Sequence, residues 1–161
     1  MGLGDLYREV LLGHYRAPRN RGRIEAASFS ASDENPLCGD EVSVFGRVEG
    51  DLVAEVKFEA RGCVICVASA SMMTEAARGK TLGEARALVA AVEGLVEGKG
   101  DVEGDLAALS GVKDYPGRTR CATLPWTTLA KGIEEYARRR QDKPRRGEIH
   151  QPRAEPWEEG R

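Results

Sequence analysis

The spacing of apolar residues predicts a helix in the first segment of the chain. Six residues recur at helical spacing and form one stripe that can be buried on a single side: Leu3, Leu6, Tyr7, Val10, Leu11 and His14. Pro18 should end this helix because proline cannot continue its backbone hydrogen bonding. The chain then enters a loop over residues 19–22.

Alternating apolar and polar residues predict three strands after this helix. The segments are residues 27–32, 42–48 and 52–61, of which the last alternates most regularly. The Glu-Gly-Asp sequence at residues 49–51 favours a tight hairpin between the second and third strands. A turn-rich loop over residues 35–40 separates the first and second strands. We therefore expect the sheet to be antiparallel.

Two adjacent helices are predicted after the strands. Residues 64–78 are rich in Ala, Ser and Met, which is typical of a tightly packed helix, and Gly79 should end it. Thr81 and Glu84 then have the spacing of a capping box, which favours a new helix at this point.

A last helix is predicted from about residue 121 to about residue 140, after a glycine-rich loop with only a short helical piece at residues 105–109. Pro125 is expected in the first turn of this helix, where proline is tolerated. The order of elements predicts an α+β domain, in which helices pack on a three-stranded antiparallel sheet.

Length and composition indicate one globular domain followed by a charged tail. The chain has 161 residues, a formal charge of −2 and 41% hydrophobic residues. We expect a domain over residues 1–140 and a disordered tail over residues 141–161, where the apolar periodicity is lost.

The near-neutral charge argues against nucleic-acid binding by bulk charge. No apolar run has the about 20 residues that span a bilayer, and no secretory signal pattern is present, so we expect a cytoplasmic protein without membrane contact.

The Cys38-Gly39-Asp40 sequence is the first candidate for metal binding. Residues two apart in an extended backbone point the same way, so the thiol and the carboxylate can converge on one point. Gly39 allows backbone conformations that a Cβ atom forbids.

Two more cysteines lie where helices are expected to begin. Cys63 follows the third strand, and Cys121 directly follows Arg120. The positive end of a helix favours thiolate over thiol, and an adjacent arginine adds to this effect. Together with Cys38 and Asp40 they make the four donors of a tetrahedral zinc site, although sulfur-rich sites also suit iron–sulfur clusters. The alternative is that these are ordinary buried cysteines, which behave as small hydrophobic residues.

Cys66 forms a C-x-x-C pair with Cys63, and this pair raises a second alternative, a thiol–disulfide oxidoreductase. Thioredoxin-like oxidoreductases carry such a pair in a β-α-β unit with parallel strands, whereas the strands here are expected to be antiparallel. We interpret Cys66 as an inert packing residue one helical turn after Cys63.

These motifs, taken together, resemble the IscU/SufU family of iron–sulfur cluster assembly scaffolds, which is similar to the N-terminal domain of NifU. The resemblance covers roughly residues 3–140 and is carried by HYRAPRNRG at 14–22, NPLCGD at 35–40, GC at 62–63, ASASMMT at 68–74 and RTRCATL at 118–124. Within the family, the chain is more similar to the SufU branch. The reasons are its glycine-rich segment 97–117 and Arg120, where the IscU branch typically has histidine.

The resemblance implies a metal site formed by Cys38, Asp40, Cys63 and Cys121. It implies zinc in this site, as is usual for the SufU branch, or a transient [2Fe–2S] cluster, as in the IscU branch. The implied partners are a pyridoxal-phosphate (PLP)-dependent cysteine desulfurase, which hands over persulfide sulfur, and downstream cluster assembly or acceptor proteins. We expect Cys38 to accept the sulfur, because the loop beside Gly39 lets it leave the metal at low backbone cost.

Such a protein is a zinc-dependent sulfurtransferase at most, and otherwise a non-enzymatic scaffold. A further alternative is a structural zinc module that contacts nucleic acid through the basic residues between 138 and 146. That run is more typical of a solvated helix end, where cations complement the helix dipole.

Overall fold

The chain folds into an initial helix, a sheet of three strands and a second group of helices. The computed structural model describes residues 3–142. The elements are α1 (Leu3–Arg16), β1 (Phe29–Asn35), β2 (Asp40–Glu49), β3 (Leu52–Arg61), α2 (Val64–Ala77), α3 (Leu82–Val96) and α4 (Thr119–Asp142). Two 3₁₀ segments, Gly104–Asp114 and Pro116–Arg118, lead into α4. The predicted α+β class is confirmed.

The strands form one antiparallel sheet in the order β1-β2-β3. Val44 in β2 lies opposite Ala31 in β1 and Phe58 in β3, and all three side chains are buried. Helix α4 packs across β1 and β2, while α2 packs on β3. The strands alternate buried and exposed residues over most of their length. In β3 the alternation changes phase, since Val53 is buried and Leu52 exposed, next to the register shift at Arg47/Val48.

The middle of helix α2 is buried on all sides, because residues 66–74 are all buried. Its hydroxyl groups must therefore find partners in the protein. Ser71 Oγ accepts a hydrogen bond from the backbone N–H of Arg19 at 2.9 Å and lies 2.8 Å from His14 Nδ1. Thr74 Oγ1 accepts from the Asn20 side-chain amide at 3.0 Å. These contacts attach α1 and the segment after it to α2.

His14 is a buried packing residue held through both ring nitrogens. Its Nδ1 lies within hydrogen-bond distance of the Ser71 hydroxyl. Its Nε2 donates to the Asp105 carboxylate at 3.0 Å. Both nitrogens are thus used within the fold, and His14 is not available to bind a metal.

Three boundary predictions are corrected by the structure. The short piece at residues 105–109 belongs to the longer 3₁₀ segment Gly104–Asp114, which buries apolar side chains of its own. Helix α4 begins at Thr119, so Pro125 lies in its second turn rather than its first. Asn35 and Asp40 are paired strand ends, which shortens the predicted loop to residues 36–39.

The capping box predicted at Thr81 is confirmed. Thr81 Oγ1 accepts from the backbone N–H of Glu84 at 3.0 Å, and Glu84 Oε1 accepts from that of Thr81 at 2.9 Å, which completes the capping box. Helix α4 continues through Asp142, two residues into the predicted tail, and residues 143–161 lie outside the described part of the chain. Among residues 3–142, no helix is both long and apolar enough to cross a membrane.

Gly132 in α4 faces the buried ring of Phe29, and this contact tests how tightly α4 packs on the sheet. A Cβ atom at residue 132 would lie 3.0 Å from Phe29 Cε1 and 3.5 Å from Ala31 Cβ. We expect Gly132→Ala to lower the free energy of unfolding by about 1–3 kcal/mol, because it overpacks the core. Urea denaturation measures this change.

Gly83→Ala in α3 is the matched control, because the nearest atom to its added Cβ is Thr81 Oγ1 at 4.0 Å. Alanine is a better helix former than glycine, so we expect this variant to be neutral or up to about 1 kcal/mol more stable. Stabilisation of both variants to the same extent would contradict the tight packing of α4.

Candidate metal centre

The four predicted ligands come from separate parts of the chain, and the structure groups three of them, Cys38, Asp40 and Cys121, at one end of the sheet. Cys38 lies in the loop between β1 and β2, Asp40 begins β2, Cys63 precedes α2, and Cys121 lies in the first turn of α4. Cys38 Sγ and Cys121 Sγ are 3.7 Å apart, and one donor atom from each of Cys38, Asp40 and Cys121 lies within 4.8 Å of the other two. Cys63 is adjacent, with its Sγ 3.9 Å from Asp40 Oδ2.

Asp40 is held in place by the chain around Cys63. The side chain is buried, and its Oδ1 accepts a hydrogen bond from the backbone N–H of Cys63 at 3.1 Å. Gly62 lies directly against the carboxylate, and a Cβ atom at that position would be 2.8 Å from Asp40 Cγ. Glycine at residue 62 thus allows the close approach of Asp40 to the start of α2.

The loop that carries Cys38 is a tight turn closed by Asn35. The Asn35 carbonyl accepts from the backbone N–H groups of Cys38 at 3.2 Å and Gly39 at 2.8 Å. Gly39 has a φ of +78°, in the left-handed region that glycine adopts without strain. Cys38 is exposed, and the neighbouring Leu37 is 91% exposed. Cys38 is therefore the most accessible of the four thiols.

Cys121 is buried, in contrast to Cys38. Burial raises the pKa of its thiol far above the usual range, and the adjacent Asp40 and Cys63 side chains raise it further. Cys121 is consequently a neutral thiol at neutral pH unless a cation displaces its proton. A bound metal ion is such a cation, since thiols bind metals as thiolates.

Arg118 lies at the cluster, where it lines a pocket together with Cys63. The Arg118 guanidinium lies beside the thiols of Cys121 and Cys63, and hydrogen bonding to Cys121 is the largest cause of the raised pKa of this guanidinium. Arg120 is exposed. Arg118 ends the 3₁₀ segment that leads directly into α4. Residues three apart in helical backbone lie on the same face, so the spacing between Arg118 and Cys121 is the signal that could have identified Arg118.

An open pocket of about 410 Å³ lies beside the cluster, lined by Cys63, Val64, Ile65, Tyr115 and Arg118. Its walls are mainly apolar, apart from the Arg118 guanidinium and the Cys63 thiol. The pocket gives the Cys63 side of the cluster access to solvent, and Tyr115 at its rim is 65% exposed.

Cys66 is completely buried in α2, as the packing interpretation expects. Burial raises the pKa of its thiol far above the usual range. A neutral thiol without solvent access is a poor nucleophile and a poor partner for thiol exchange. The geometry thus gives no support to a redox pair of Cys63 and Cys66.

The donor set fits a zinc ion. Zinc binds thiolate sulfur and carboxylate oxygen in tetrahedral sites, and zinc–sulfur bonds of about 2.3 Å separate two such sulfurs by about 3.8 Å. The separation of 3.7 Å between Cys38 Sγ and Cys121 Sγ matches this spacing. The same sulfur-rich set is also suited to an iron–sulfur cluster as cargo.

Comparison with known proteins agrees with the motifs. The model of the NifU-like N terminal domain family matches residues 6–143. This chain belongs to that family. The match extends from within α1 through the end of α4, so it includes all four donor residues and confirms the predicted resemblance.

Relatives similar to this chain include both SufU and IscU proteins. The chain is 41% identical over 135 residues to the zinc-dependent sulfurtransferase SufU of Bacillus subtilis, covering 81% of this chain and 91% of that protein. It is 34% identical over 136 residues to the iron–sulfur cluster assembly scaffold protein IscU of Thermotoga maritima, covering 83% and 96%.

A solved structure from Fervidobacterium islandicum, described as an iron–sulfur cluster assembly scaffold for the SUF system, superposes with a TM-score of 0.75 at 35% identity. The match covers 82% of this chain and 99% of that chain. The arrangement of helices and strands seen here is thus that of the family.

Gly62→Ala tests whether the position of Asp40 is essential for metal binding. The added methyl group collides with the Asp40 carboxylate, so we expect zinc affinity to fall by about tenfold or more. Competition with a chromogenic chelator measures this affinity. Gly13→Ala is the control, because Gly13 lies in α1, outside the cluster, and no atom lies within 4 Å of the added Cβ. A Gly62→Ala protein that binds zinc as tightly as the unmodified chain would contradict the role of this contact.

Replacement of Arg118 tests whether it is the cation that acts on the thiols. A neighbouring positive charge favours thiolate, so Arg118→Ala should slow the alkylation of Cys63 by iodoacetamide in metal-free protein at neutral pH, by roughly threefold or more. Peptide mass spectrometry follows Cys63 separately from the other thiols. Arg120→Ala should leave the rate unchanged, and an equal loss in both variants would favour a nonspecific charge effect.

Proposed function

We propose that this chain works in iron–sulfur cluster assembly, accepting persulfide sulfur from a PLP-dependent cysteine desulfurase on Cys38. The observation that carries the proposal is the accessible thiol of Cys38, 3.7 Å from the buried thiol of Cys121, in a cluster with a buried carboxylate. Membership of a family with relatives named as sulfurtransferase and scaffold supports the same function.

In this proposal Cys38, Asp40, Cys63 and Cys121 hold one zinc ion. Bound zinc would keep the thiols ionised at neutral pH. Cys63 and Cys121 are attached to helices and serve as the fixed ligands. Cys38 is on an exposed turn and can leave the ion without moving a helix. Asp40 is the hard ligand in a soft set, which makes the same site suitable for a cluster that must later be released.

Sulfur transfer then requires one exchange step. The Cys38 thiolate attacks the outer sulfur of the desulfurase persulfide, the sulfur–sulfur bond of that persulfide breaks, and the desulfurase cysteine leaves as a thiolate. Cys38 now carries the persulfide. Arg118 lies at the same cluster, where its positive charge favours the anionic sulfur species.

The surface around Cys38 is suited to contact with a protein partner. Leu37 directly precedes Cys38 and is exposed, and the exposed Tyr115 lines the pocket beside Cys63. Exposed apolar groups of this kind are common at interfaces. The desulfurase is the first partner in this proposal, and downstream cluster assembly or acceptor proteins receive the sulfur or the cluster.

Cys38→Ser tests the acceptor role directly. The protein is incubated with the cysteine desulfurase and L-cysteine, and intact mass is measured without reductant. We expect the unmodified chain to gain sulfur and to stimulate the desulfurase, and Cys38→Ser to do neither, because serine cannot form a persulfide. Cys66→Ser should behave as the unmodified chain, since Cys66 is buried.

Sulfur gain by Cys38→Ser equal to that of the unmodified chain would remove Cys38 from the acceptor role. Metal and sulfide analysis of protein purified without oxygen separates the two forms of the function. Zinc without sulfide identifies a sulfur carrier, and stoichiometric iron and sulfide identify a scaffold.

A further inference from the structure

A buried hydrogen-bond network joins α2 to α4 directly behind the thiol cluster. The Ser69 hydroxyl in α2 donates to the Ala122 carbonyl in α4 at 2.6 Å, and its oxygen accepts from Trp126 Nε1 at 2.9 Å. All three residues are fully buried. No water competes for these bonds, so each group depends on the others for its hydrogen bonding.

The Ser69 hydroxyl bonds to Ala122, the residue next to the predicted ligand Cys121. Ala122 directly follows Cys121, and Ser69 lies in the helix that begins after Cys63. The Ser69 hydroxyl therefore connects the two helices that carry the fixed thiols. A shift of the first turn of α4 would move Cys121 away from Cys63 and Cys38.

Pro125 makes this turn more dependent on α2. In a regular helix the N–H of residue 125 would bond to the carbonyl of Cys121, but proline has no N–H. The Cys121 turn consequently lacks one of the hydrogen bonds that would hold it to the rest of α4. The bond from Ser69 to the next carbonyl holds that turn to the neighbouring helix instead.

We infer that Ser69 is a positioning residue of the metal centre. Its hydroxyl keeps the first turn of α4 at the distance from α2 that lets Cys63 and Cys121 bind the same ion. This inference rests on the proposed function, because it assumes that these thiols share a metal. A purely structural role for Ser69 would lower stability and leave metal affinity unchanged in the folded protein.

Thr128 provides a matched control for a purely structural hydroxyl. Its side chain is fully buried in α4, as Ser69 is in α2, but its hydroxyl donates to the Leu124 carbonyl of the same helix at 2.7 Å. Thr128→Val removes this hydroxyl without disturbing the contact between α2 and α4. Ser69→Ala removes the contact itself.

The test is titration of the reduced, metal-free variants with cobalt(II), followed by competition with zinc. Cobalt absorption reports the number of thiolate ligands and the geometry around the ion. We expect Ser69→Ala to bind both metals about tenfold more weakly and to change the thiolate absorption band, and Thr128→Val to retain the affinity and spectrum of the unmodified chain. Unchanged binding by folded Ser69→Ala, or an equal loss in Thr128→Val, would overturn the inference.

Thermal unfolding of each metal-free variant establishes whether it is folded. If Ser69→Ala does not fold, the double variant Ser69→Ala/Gly83→Ala decides, because alanine at residue 83 is expected to stabilise α3 and restore folding. Weakened cobalt binding with a changed thiolate band in the folded double variant supports the inference, and unchanged binding contradicts it. An unmodified chain that binds neither metal would instead overturn the proposed metal centre, which distinguishes the two failures.

Discussion

The candidate metal centre depends on the burial of residues 66–74 in α2. The hydroxyl groups in this buried stretch have no water to bond, so each must find a partner in the protein. Ser71 bonds to α1 and to the backbone of Arg19, and Ser69 bonds to α4. These bonds fix the start of α2, where Cys63 lies, relative to the elements that carry the other donors.

The β-sheet reaches the same centre through Asp40. One oxygen of this carboxylate accepts from the Cys63 backbone N–H, and the other lies near the Cys63 thiol. The side chain thus holds the end of the sheet against the start of α2 and supplies an oxygen donor. Gly62 is necessary at this contact because the carboxylate occupies the space of its missing side chain.

The thiols around this carboxylate differ in accessibility, and the difference has chemical consequences. Cys38 is exposed on a turn, whereas Cys121 is buried and neutral without a metal. A bound ion would ionise the buried thiol and anchor it, while the exposed thiol could exchange with a partner. Arg118 adds a positive charge beside Cys63 and Cys121, and this charge would stabilise their thiolate forms.

The sequence by itself determined the α+β class and the capping box at Thr81, because periodicity and capping depend on neighbours within a turn or two. Its motifs also named the four candidate donor residues. The tertiary structure alone decided that sulfurs 83 positions apart lie 3.7 Å from each other. It also placed Arg118 at the cluster and joined Ser69 to the turn that carries Cys121. These outcomes depend on how α2 and α4 pack and rotate against each other, and distances between helices leave no local pattern in the chain.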